Sequence, residues 1–97
     1  HDDLDIEFGK VKAKFAGSSA GHNGIESIDK FIGKDYSRVR IGIGRPKTKA
    51  DVSDHVLKDF DEDEMLQLEK ITENIIDSIS ILLDKKLDLF SSTVNNK

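Results

Sequence analysis

Arg38-Val39-Arg40-Ile41-Gly42-Ile43-Gly44 alternates without a break. Successive side chains on a strand point to opposite faces. The stretch therefore reads as a half-buried strand, with Val39, Ile41 and Ile43 toward the core and Arg38 and Arg40 on the other face. Gly42 and Gly44 leave that second face bare. A strand glycine marks either the approach of a ligand or backbone, or close packing against a neighbouring element. Both readings stay open.

Upstream, Lys10-Val11-Lys12-Ala13-Lys14-Phe15 alternates in the same way, with Val11, Ala13 and Phe15 inward and three ammonium groups outward. Leu4, Ile6 and Phe8 continue the alternation toward the N-terminus and suggest a further strand. Between the two patterns lies the small-residue loop Gly17-Ser18-Ser19-Ala20-Gly21-His22-Asn23-Gly24. A helix is expected after it, because Ile25, Ile28, Phe31 and Ile32 fall on one helical face and Gly33 stands where a helix stops.

Downstream of Pro46 the chain is rich in lysine, and Val52, Val56, Leu57 and Phe60 suggest one or two apolar-anchored helical turns. Asp61 and Glu64 then have the spacing of an N-cap and its reciprocal partner. The apolar stripe from Met65 through Leu68, Ile75, Ile79 and Leu83 predicts one long helix to about Asp84. The tail, Ser91 to Lys97, reads as frayed. The order strand, helix, strand, helix indicates an α/β layered fold, a partial mixed β-sheet packed with helices. Two or three strands are a small sheet for so long a helix, which suggests further strands outside this sequence.

The 97 residues suit one small domain, and the absence of cysteine excludes disulfides. No apolar run nears the roughly 20 residues that span a bilayer. His1 is the first residue and Met65 the only methionine, so the chain is expected to be processed or cut from a longer polypeptide. Net charge is -4, but unevenly spread. Residues 9–50 hold ten Lys or Arg against three acids, and residues 51–97 hold five against twelve. One basic and one acidic surface follow from that asymmetry. Lys10, Lys12, Lys14, Arg38 and Arg40 would share one sheet face and suit phosphate contacts without base specificity.

His22 and Asn23 sit in a glycine-rich loop at a helix start, where backbone N–H groups favour anions. Histidine offers proton transfer, and asparagine a paired donor and acceptor. The plainer alternative is that Asn23 caps the helix and His22 is a surface residue. Asp2 and Asp3 beside His1 could orient a histidine or simply be a solvated terminus. His1, His22 and His55 lack the spacing of a helical metal pair, and the glycines fit neither a P-loop nor a dinucleotide fingerprint.

Taken together, His1-Asp2-Asp3-Leu4-Asp5-Ile6 with Phe8-Gly9-Lys10, then Gly21-His22-Asn23-Gly24-Ile25 with Ser27-Ile28, then Arg38 through Pro46, resemble the signature segments of bacterial-type peptidyl-tRNA hydrolases. Val52, Val56-Leu57, Phe60 and Glu64 extend the resemblance, which covers about residues 1–83. It implies cleavage of the ester between a peptide and tRNA, in the cytoplasm, with no metal and no cofactor. It implies that residues 1–97 are the C-terminal part of a single domain. It assigns Asp2 to orienting a general-base histidine, His22 and Asn23 to the substrate cleft, and Lys14, Arg40, Lys47 and Lys49 to tRNA.

The departures are as informative. The family's Gly-Leu-Gly-Asn-Pro segment and its catalytic histidine with the following asparagine are not in this sequence, and Leu87-Asp88-Leu89-Phe90 differs from the usual ending. The expectation is that these 97 residues alone do not turn over peptidyl-tRNA. A whole enzyme of this kind is expected to be monomeric, while the chain alone could associate through uncovered strands. The alternative is a non-catalytic tRNA- or phosphate-binding module.

Overall fold

In the computed structural model, residues 1–46 and 52–97 are described. Three strands, β1 (Asp2–Asp3), β2 (Val11–Phe15) and β3 (Ser37–Gly42), form one sheet in the order β1-β3-β2. β1 runs parallel to β3, and β2 antiparallel to it, so the sheet is mixed as expected. Helices α1 (Asn23–Ile32), α2 (Val52–Leu57), α3 (Glu62–Asp77), α4 (Ile79–Leu83) and α5 (Leu87–Asn95) complete the fold. No helix among the described residues is long and apolar enough to cross a membrane.

The core lies on one face of the sheet. Val11 and Ala13 of β2 pack with Ile71 of α3 and with Phe90 and Val94 of α5. Val39 and Ile41 add to it from β3, as the alternation requires. Phe90 is fully buried. The tail expected to fray is therefore a core helix. Its apolar positions 87, 90 and 94 recur at helical spacing, and its polar Ser91 and Asn95 hydrogen-bond to β2.

Three further expectations are corrected. Residues 4–8 do not form a strand; they turn over the far face of β3, where Ile6 is buried against Gly42. Gly42 thus serves close backbone packing: a Cβ there would collide with the Glu7 carbonyl and meet the Ile6 carbonyl at 2.7 Å. The long helix is broken at Ser78, whose φ of -105° and ψ of 7° leave the helical basin. Its N–H still reaches the carbonyls of Asn74 and Ile75, each at 3.2 Å. The break lets Leu68, Ile71 and Ile75 before it, and Ile81 and Leu82 after it, all reach the core.

The helix start is as predicted, with Asp61 and Glu64 in a reciprocal capping box. The apolar face expected of α1 is mostly not buried. Ile25 is buried, but Phe31 is 87% exposed and Ile28 and Ile32 are exposed as well. The helix is fastened instead by polar groups, Asp29 above all, which pairs with Arg38.

Candidate functional site

Asp2 reaches the site because β1 aligns it with Ile41 of β3. His22 reaches it as the residue that caps α1. Its Nδ1 accepts the Ile25 N–H at 3.2 Å, so His22, not Asn23, is the N-cap. Its Nε2 lies 2.8 Å from Asp2 Oδ1. These two contacts fix the tautomer. With Nδ1 accepting, the neutral ring carries its proton on Nε2 and donates it to the Asp2 carboxylate. The His1 ring stands edge-on to His22, with centroids 5.0 Å apart.

Asp2, His22 and Asn23 line a cleft of about 560 Å³ together with Val52 and Val56 of α2. Asn23 is exposed, and its side-chain amide makes no hydrogen bond among the described residues. The lining is thus both polar and apolar, which suits a ligand with both characters. α2 is tethered by His55, whose Nε2 donates to the carbonyls of Ile43 and Gly44 at 3.1 and 2.9 Å. His55 thus serves to hold the apolar part of the lining.

Asp3 points the other way from Asp2. It is 5% exposed, accepts the Asp5 N–H at 2.8 Å and lies 3.3 Å from Arg40 Nη1. The sheet register sets Lys12 opposite Arg40 and Lys14 opposite Arg38. Lys14 and Arg40 are thus diagonal neighbours on one face, within reach of a shared anion by the usual cross-strand geometry of about 7–8 Å. Lys47 and Lys49 lie outside the described residues.

Arg38 does not belong to that exposed surface. It is 4% exposed and bonded to Asp29 Oδ1 at 2.9 Å and to the carbonyls of Gly17 and Ser18 at 2.9 and 3.1 Å. Alternation predicted its face correctly but could not show that α1 and the 17–22 loop cover that part of the face. Tyr36 stacks under its guanidinium at 4.7 Å and donates its O–H to Asp29 at 2.7 Å. Desolvation, and then this bond to the carboxylate, hold the Tyr36 phenol above its usual range, against the opposing charge of Arg38. Among the described residues no cluster of three or more His, Cys, Asp or Glu could hold a metal ion.

The comparisons with known proteins converge on one family. The sequence model described as peptidyl-tRNA hydrolase matches residues 1–97. The peptidyl-tRNA hydrolase of Pelagibacter ubique (strain HTCC1062) is 93% identical over 97 residues, covering all of this chain and 52% of the relative. That of Rickettsia bellii (strain RML369-C) is 46% identical over 92 residues, covering 95% of this chain and 50% of the relative. The crystal structure of peptidyl-tRNA hydrolase from Acinetobacter baumannii superposes with a TM-score of 0.83 at 32% identity, covering 98% of this chain and 48% of that one. The chain spans about half the length of the curated relatives it matches.

Proposed function

The chain belongs to the peptidyl-tRNA hydrolase family, and we propose that it is the C-terminal part of one such enzyme's single domain, supplying the carboxylate side of the cleavage site and part of the tRNA surface. The observation that carries this reading is the Asp2–His22 contact at the mouth of the cleft that Asn23 lines. The reaction is attack of water on the ester between peptide and ribose, releasing the peptide carboxylate and the tRNA hydroxyl. A general-base histidine must take the proton from water. In this reading it comes from outside these 97 residues. Asp2 has two carboxylate oxygens, so it can hold His22 with one and orient that second imidazole with the other. Asn23 offers its free amide to the substrate, and His22 forms the cleft wall. No cofactor enters.

Lys14 and Arg40 would grip a phosphate of the tRNA, with Lys47 and Lys49 extending the surface. Their roles differ. Arg40 is already paired with buried Asp3, whereas Lys14 is exposed. Lys14→Ala should weaken tRNA binding, lower the slope of log affinity against log salt by about one, and leave folding intact. Arg40→Ala should do the same and also destabilise the fold by about 3 kcal/mol, because Asp3 loses its buried partner.

The test of the reading is hydrolysis of peptidyl-tRNA. A longer polypeptide carrying these residues should turn over, and Asp2→Asn should lower its kcat by about 10² or more. The 97 residues alone should bind tRNA in a salt-sensitive way without cleaving it. Robust turnover by the 97 residues alone would overturn the assignment of the base. Binding without cleavage by the longer polypeptide would favour the alternative, a tRNA- or phosphate-binding module, which the Lys12, Lys14 and Arg40 face also supports. The setting of such an enzyme is the cytoplasm, as a monomer. The outer edge of β2 is occupied by α5, so any strand pairing between copies of the chain would go through β1.

A further inference from the structure

We propose that Arg38 is the positioning residue of the site, setting the distance from His22 to Asp2 by locking the loop that carries His22. The proposal rests on the reading of Asp2 and His22 given above. One guanidinium ties three parts of the chain together: β3, which bears it; α1, through Asp29; and the loop, through the carbonyls of Gly17 and Ser18. β3 is also the strand with which β1 pairs and so the strand that places Asp2. The two halves of the site are thus referred to one strand, Asp2 by main-chain pairing and His22 by Arg38.

The loop needs such a tie. Gly17, Ala20 and Gly21 all have positive φ, at 96°, 50° and 82°. Apart from the His22–Asp2 contact itself, its other bonds are local: Ala20 N–H to Ser18 Oγ, His22 N–H to the Ser19 carbonyl, and Ser19 Oγ to Glu26. Those local bonds shape the turn and join it to α1, and Tyr36 O–H on Asp29 links α1 to the start of β3, but neither holds the 17–18 carbonyls against the sheet as Arg38 does. The planar fork of arginine does so by presenting donors in fixed directions to two carbonyls and a carboxylate. A lysine ammonium on a flexible stem cannot reproduce that set.

The arrangement is costly as a stability device. Arg38 is buried, with its Nε unpartnered among the described residues. Replacing a buried ion pair by apolar residues of similar size is often neutral or stabilising. Geometry, more than stability, is what the fork supplies.

The experiment uses the polypeptide carrying these residues, labelled with ¹⁵N at histidine. The His22 signals are assigned by their absence in His22→Asn, and the variants are Arg38→Lys and the apolar pair Arg38→Met with Asp29→Leu. In the parent, the neutral form of His22 should carry its proton on Nε2 alone. In both variants the signals should move toward a mixture of tautomers while circular dichroism is retained. The kcat for peptidyl-tRNA should fall about hundredfold at near-constant KM. An unchanged tautomer in a folded variant overturns the proposal. So does loss of folding in both variants, since Arg38 would then be a stability element. The tautomer readout needs no substrate. A protein that fails to cleave peptidyl-tRNA but shows the shift would sink the functional reading and leave the role of Arg38 standing.

Discussion

The Asn95 side chain pairs with both main-chain groups of Val11: its Oδ1 accepts the Val11 N–H and its Nδ2 donates to the Val11 carbonyl, each at 2.8 Å. An amide side chain here acts as one more strand partner. In an antiparallel pair alternate residues turn their N–H and C=O groups away from the partner strand. The N–H and C=O groups of Lys12 and Lys14 face β3, so those of Val11 and Ala13 point to the open edge of the sheet. Ser91 Oγ accepts the Ala13 N–H at 2.8 Å, and α5 thereby closes the edge that a short sheet would otherwise expose.

Asn95→Ala should therefore cost about 2–3 kcal/mol, because both groups of a fully buried residue lose their partner. Denaturant unfolding would show the drop. Amide exchange would show its origin, as Val11 should exchange faster than in the parent relative to the strand interior at Lys12. An unchanged midpoint would mean that water replaces the amide without loss.

Gly42 and Gly44 alternate in sequence but should respond differently to alanine. At Gly42 the added methyl runs into the Glu7 carbonyl, with the Ile6 carbonyl and side chain each at 2.7 Å, so the 4–8 segment must move. Overpacking of that kind costs about 3 kcal/mol. At Gly44 the nearest atom is Phe8 N at 3.8 Å, an ordinary contact, and the cost is the left-handed backbone at φ 69°, about 1 kcal/mol. Comparing the two unfolding midpoints checks the order; equal losses would contradict this account of Gly42.

Tyr36 should give the protein an alkaline weakness. Its folded pKa is raised above that of a free phenol, first by desolvation and then by the bond to Asp29. The unfolded chain therefore releases this proton first, and the stability contribution, complete below about pH 10, is lost as pH rises through the folded value. Tyr36→Phe should show a shallower loss of stability above pH 10 than the parent. Parallel pH profiles would remove Tyr36 as the cause.

Local pattern determined much of this protein. Alternation in 10–15 and 38–44 gave two strands and their core faces, and Asp61 with Glu64 marked the start of α3. These features depend on neighbours two to four residues apart, which a sequence displays directly. The motifs around Asp2, His22 and Asn23 also named the family without any coordinate. Tertiary structure decided the rest, because the partners lie far apart along the chain. Asp2 meets His22 across 20 residues, Arg38 meets the 17–18 carbonyls across about as many, and Asn95 meets Val11 across 84. No local period records such pairings. A polar tail therefore read as frayed where it closes the sheet, and an arginine on a strand face read as exposed where a helix covers it. The charge pattern told which face could be basic; only the packing of α1 over β3 told which cation on that face is exposed, Lys14, and which is buried, Arg38.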